Sequence, residues 1–214
     1  MVLQFIAEGL IRGCSYALVA LGFAFIYNTT RIFHFAHGAI YTLAAYLFFT
    51  FWNLWHFPLI LSLFLVLGSM ALVGIFVDAT VHLPLVRRDA TPIVHIVSSL
   101  GLYIIIVNFI AMIYGSETKI PLPDIQPTYN FATISLSRIQ IFIFACFILI
   151  SAIFLLVLKQ SRMGTILRAM RDDPQLISVM GINPIYVRYI VFSIGSVLAA
   201  VASVLNSLDT GMTP

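Results

Sequence analysis

Six apolar runs, near residues 9–28, 37–57, 59–81, 93–114, 140–158 and 189–208, dominate this chain, and Arg12 and Asp78 are the only Asp, Glu, Lys or Arg inside them. Each is close to the length of about twenty residues that a helix needs to cross a bilayer. A soluble domain has no way to bury so many such segments. The composition agrees: 61% of residues are hydrophobic and 9% charged, where soluble domains carry roughly a quarter charged. The expected fold is therefore an all-α integral membrane protein, a polytopic bundle of six spans forming one transmembrane domain over residues 1–214. The lipid bilayer is its first partner.

The net charge of +3 and pI near 9.0 do not point to a nucleic-acid partner, because the basic residues lie between the apolar runs and form no dense cluster. They read instead as topology. Arg31, Arg87, Arg88, Lys159, Arg162, Arg168, Arg171 and Arg188 fall on one side of the expected bundle, and only Lys119 and Arg138 on the other. Basic loops stay in the cytoplasm, so both termini and the proline-containing loop 115–138, with Pro121, Pro123 and Pro127, are expected outside it. The N-terminus has no basic segment ahead of its apolar run and no small-residue cleavage site, so the first run is expected to remain in the membrane.

In that first run Gly9, Gly13, Ala17, Ala20 and Ala24 share a narrow arc, the pattern of a close helix contact. Glu8 and Arg12, four apart, are expected to pair at the membrane surface. Cys14 and Cys146 sit in separate apolar runs and suggest neither a disulfide nor a metal site. The second run ends in an aromatic cluster, Phe48 to Phe57, that reads as an interfacial belt. The third closes on Asp78 and His82 near a membrane face, and Thr91-Pro92 restarts the fourth as cap and first helical residue. His95, Ser98, Ser99 and Asn108 form a polar stripe there, either facing a pathway or joining helices by hydrogen bonds.

The long polar island, residues 159–188, carries its own punctuation. Asp173 is an N-cap with Pro174 behind it, Gly181 is placed to end a short helix over Pro174–Met180 in a left-handed turn, and Asn183-Pro184 starts the next one. Ser161-Arg162-Met163-Gly164, Arg168-Ala169, Asp172-Asp173, Gly181-Ile182-Asn183 and Phe192-Ser193-Ile194-Gly195 resemble the cytoplasmic loop and following span of the permease subunits of high-affinity branched-chain amino acid ABC transporters. His34-Phe35-Ala36-His37-Gly38 is similar to a second signature of that family, Asn-Phe-Ala-His-Gly, with His34 in place of the Asn.

The resemblance implies that His34, Phe35, Ala36, His37 and Gly38 line the substrate path, and that Arg162, Gly164, Arg168, Asp172, Asp173, Gly181 and Asn183 belong to a coupling loop that docks on an ATPase. It implies a bacterial plasma (inner) membrane location and four kinds of partner: cytoplasmic ABC ATPase subunits, a second homologous permease, an external substrate-binding protein and a small-molecule substrate. Relatives also carry urea or short amides. Family members run on through further spans and a Gly-rich segment beyond the point where this chain stops, so a truncated form is expected.

Physically, a helix that begins inside the membrane near Gly38 would aim free N–H groups and a positive dipole end at a carboxylate. Histidines three apart on a helix also share a face. A competing reading therefore makes His34 and His37 ligands of an intramembrane metal or haem, joined by His56, His82 or His95. An autonomous secondary transporter is a third reading. The chain carries no Walker A, GxSxG, HExxH or dinucleotide motif. It is therefore expected to be no enzyme and to need no cofactor of its own, with any ATP bound by a partner.

Overall fold

A computed structural model describes residues 2–121, 128–131 and 134–214; Pro123 and Pro127 lie outside the described residues. Among the described residues, five helices are long and apolar enough to cross a membrane. They are α1 (Val2–Thr30), α3 (Leu59–Val77) with its continuation through α4 (Leu83–Val86), α5 (Pro92–Tyr114), α6 (Arg138–Gln160) and α9 (Pro184–Thr210). The protein is a polytopic all-α membrane protein.

The second apolar run departs from the expected span. It forms α2 (His37–Phe49), 13 residues of α-helix, followed by a 5-residue π-turn, Thr50–Leu54. At about 1.5 Å per residue the α-helical part covers roughly 20 Å, short of a bilayer core of about 30 Å. Tyr46 and Phe48 are fully buried, and Phe48 packs on Trp52 and Phe51 on Trp55, so the aromatic cluster closes the end of this shorter helix.

The centre of the bundle is α9, which packs against α1, α2 and α3. Gly22 of α1 meets Gly195 of α9 so closely that a Cβ on Gly22 would sit 2.7 Å from the Gly195 carbonyl oxygen. Likewise Gly74 of α3 has Phe192 and Ser196 of α9 where its Cβ would be. Close approach of this kind is how helices associate where lipid offers no hydrophobic drive. The expected small-residue arc of α1 is not this face: Gly9, Gly13 and Ala20 are exposed, and nothing lies within 4 Å of a Cβ on Gly9 or Gly13. The seam runs instead through Ile11, Leu18, Gly22, Phe25 and Ile26, where larger side chains also fill the space. The expected Glu8–Arg12 pair is also absent among the described residues; Glu8 accepts from Gln4 Nε2 at 2.7 Å.

Loop 115–138 contains a hairpin, β1 (Thr128–Phe131) against β2 (Ile134–Ser137). Gln4 clasps the main chain of Ser135 through both ends of its amide, at 2.9 and 2.8 Å. Lys119 and Met212 exchange backbone hydrogen bonds. The beginning of α1, the hairpin loop and the residues after α9 therefore meet at one end of the bundle. At the opposite end lie α7 (Arg162–Asp172) and α8 (Pro174–Val179), the former a helix within the expected coupling loop. Ser161 caps α7, and Leu167 and Met170 point inward onto a cluster with Phe25, Ile177, Val187, Val191 and Phe192.

Candidate functional site

Helix α1 stops at Thr30 because Arg31 turns into the left-handed region, φ 57°. The chain then runs extended, with Ile32, His34 and Ala36 inside and Phe33 and Phe35 outside. His37 N–H donates to the His34 carbonyl at 3.1 Å and Gly38 N–H to Phe35 at 3.3 Å before α2 begins. This turn corrects two expectations. His34 and His37 do not lie on one helix, and the first two N–H groups of α2 are already bonded, so the helix start does not hold them out to a carboxylate. A Cβ on Gly38 would sit 3.4 Å from the ring of Tyr103 in α5.

The side chains supply the polarity. His34 is wholly buried, with Nδ1 3.0 Å from His82 Nε2, and Phe192 covers it at a ring separation of 5.3 Å. His37 is 3% exposed, and among the described residues neither ring nitrogen completes a hydrogen bond, although the Val19 carbonyl lies near. A buried polar group without a partner is costly and marks a place where a ligand or solvent group is accepted. The His37 ring borders a cleft of about 520 Å³ between α1 and α2, walled by Tyr16, Phe23, Phe33, Phe35 and Tyr41. An aromatic pocket bordered by His37 and by His34, whose Nε2 is also unpartnered among the described residues, suits a small ligand with an apolar body and a polar end.

Behind the histidines lies an ion pair that sequence reasoning did not find. Asp78 and Arg188 are both buried; Arg188 Nε donates to Asp78 Oδ2 at 3.2 Å and Nη2 donates to Oδ1. The sequence places Arg188 among the loop charges and Asp78 near a membrane face, whereas folding buries both. A π-turn over Asp78–His82, closed by Leu83 N–H to the Asp78 carbonyl, directs both Asp78 and His82 inward. His82 in turn stacks on His95 at 5.8 Å. Ser99 Oγ donates to the Phe33 carbonyl and accepts from Phe35 N–H, so this part of the polar stripe joins α5 to the extended segment; Asn108 is exposed and bonds its own helix. The only signal in the sequence was an acid and a base within or beside apolar runs. Folding brings His82 and His95 toward His34 but not His56, and among the described residues no group of three His, Cys, Asp or Glu is placed to hold a metal.

At the opposite end from the hairpin, most residues expected to couple to an ATPase shape the loop. Gly164 is buried where a Cβ would overlap the Leu158 carbonyl. Arg168 donates to that carbonyl at 3.0 Å and to Thr165 Oγ1 at 3.1 Å. Asp172 pairs with Arg171, and Arg162 is exposed at the start of α7. Asp173 caps α8 through Gln175 and Leu176 N–H, Gly181 turns at φ 82°, and Asn183 caps α9 through Ile185 N–H. The outward surface is apolar: Leu176, Val179 and Met180 of the α8 turn are 55%, 84% and 70% exposed. Their spacing of three and four residues is the signal of this face in the sequence.

Residues 5–214 match the family described as the branched-chain amino acid transport system permease component. The chain belongs to that family. Among these permeases, the high-affinity branched-chain amino acid transport system permease protein BraD of Pseudomonas aeruginosa is 28% identical, over 98% of this chain and 72% of its own length. LivH of Escherichia coli K12 is 26% identical, over 95% of this chain and 70% of its own. The probable LivH of Methanocaldococcus jannaschii is 26% identical over 86% of this chain. No solved structure gives a significant match. The His34–Gly38 segment and the capped loop both lie within the matched permease region.

Proposed function

We propose that this permease is the membrane-spanning subunit of an ABC importer that takes branched-chain or related amino acids from an external binding protein. A cytoplasmic ATPase docks on α8 and binds the ATP, and a second homologous permease completes the pathway. The observation that carries the reading is α8 itself. It is pinned by Asp173, Gly181 and the buried Ile177, yet it presents three large apolar side chains to solvent, which is costly unless a partner covers them. Ile177 packs with Val187, Val191 and Phe192, and Phe192 touches His34, so the docking helix and the His37 cleft share one packed cluster. The substrate class follows the names of the relatives and suits the aromatic cleft; urea and short amides, with no apolar body, suit it less.

The test is uptake of labelled leucine into vesicles holding the permease pair, the ATPase and the binding protein. ATP-dependent uptake that needs the binding protein is expected. Uptake driven by an ion gradient with no ATPase would replace this reading with a secondary transporter. A stoichiometric metal or a haem absorption band in the purified chain would favour the redox alternative.

A further inference from the structure

We infer that the cleft between α1, α6 and α7 binds an anionic phospholipid, with Arg168 and Arg171 holding the headgroup phosphate. The cleft has a volume of about 260 Å³, and its floor is apolar, formed by Leu21, Phe25, Phe154 and Leu158, while the two arginines stand at its rim. A second apolar groove adjoins it on α6, where Leu155 and Leu156 are exposed beneath Lys159 and Arg168. Arg168 is held in place rather than free: its bonds to the Leu158 carbonyl and Thr165 Oγ1 fix the guanidinium plane and leave further N–H donors directed away from those partners. Arg171 uses Nε for Asp172 Oδ1, at 3.0 Å, and keeps its terminal nitrogens.

Asp172 pairs with Arg171, and Lys159 lines the adjoining groove with Arg168. Such a site suits a phosphate with a hydrocarbon chain attached. A free anion would gain only from exposed arginines, which bind weakly in water, and would leave the apolar floor empty. A lipid satisfies both halves, and basic pockets at the ends of membrane helices are where anionic headgroups gather. This site is independent of the importer reading, because it requires only that α6 crosses the membrane. It also gives Arg168 a role on the membrane side of α7, away from the docking face of α8.

Native mass spectrometry of the full chain released from detergent micelles tests this, with dioleoyl phosphatidylglycerol, dioleoyl phosphatidylcholine or glycerol 3-phosphate added. Two arginines near an anionic headgroup favour phosphatidylglycerol over phosphatidylcholine by about 30-fold. Arg168→Gln with Arg171→Gln should remove that preference. Arg171→Gln alone makes no change to the bond between α6 and α7, so it should weaken retention several-fold in a chain that elutes normally on gel filtration. Equal retention of the two lipids, or undiminished phosphatidylglycerol retention in the double variant, overturns the site. Full competition by glycerol 3-phosphate overturns the lipid assignment.

Discussion

Replacing Asp78 with Ala would leave the Arg188 guanidinium buried beside Phe192, 5.9 Å from its ring centre, with no counter-charge. Removing one partner of a buried pair costs about 3–5 kcal/mol, because the remaining charge has lost its compensation. In a chain of this size 1 kcal/mol moves the unfolding midpoint by roughly 2–4 °C, so Asp78→Ala is expected to lower it by about 6–20 °C. Tryptophan fluorescence during heating in micelles reads this, since Trp52 packs against the buried cluster that α2, α3 and α9 share. Replacing both partners, Asp78→Leu with Arg188→Met, should restore most of the loss, because a well-packed apolar pair is often no worse than a buried ion pair. Added salt should change little in the wild type, since a buried pair is poorly screened. A drop of less than about 3 °C for Asp78→Ala would mean that Arg188 reaches water by extending its stem, and the pair would then not hold α3 to α9. A double variant as unstable as the single one would refute the argument from the opposite side.

Four further outcomes are expected. Gly195→Val should push α1 away from α9 and cost about 1–3 kcal/mol or more by overpacking, seen as loss of the monodisperse peak on gel filtration. His37→Leu should raise the unfolding midpoint slightly by removing an unsatisfied ring, and should abolish leucine uptake; unchanged uptake would remove His37 from the path. Val179→Asp with Met180→Asp should leave stability within about 0.5 kcal/mol, as exposed sites do, and prevent co-purification of the ATPase, whereas Gly181→Val should cost about 1 kcal/mol or more through its left-handed turn and weaken attachment indirectly. Cysteines at Thr118 and Thr128 should react with an impermeant reagent from outside the cell, and one at Thr165 only after lysis; the reverse pattern would invert the orientation taken from the charges.

Local signals in the sequence were dependable where the structure is local. The caps at Asp173 and Asn183, the left-handed Gly181 and the starts of α5 and α9 follow from residues that act within a turn of their own position. What could not be read depended on distance. His34 and His82 are 48 residues apart, and Asp78 and Arg188 110; nothing within either segment names its partner. The small residues of α1 misled for a related reason: an arc of glycine and alanine shows where helices can approach, but the mate of Gly22 is Gly195, and only packing reveals that. The amphipathic α7 was readable from Ser161, Leu167 and Met170, yet its many charges disguised it as a loop.

The glycine crossings of α9 restrict how the bundle can deform. Sliding α9 by a single residue, about 1.5 Å, would carry a side chain into the space that Gly195 leaves at Gly22, and the Asp78–Arg188 bridge acts as a cross-pin at the other helix. Helices α1, α3 and α9 therefore have one set of rigid-body coordinates among them. By contrast α6 buries Ile143, and α5 buries His95, Ser99 and Ile110, so both hold fewer side chains inside the bundle than α9 does. A displacement of α8 meets the block of α1, α3 and α9 through Ile177, which packs on Phe25 of α1 and on Val187, Val191 and Phe192 of α9. Any change that keeps the glycine crossings intact therefore keeps the distances between α1 and α9 constant.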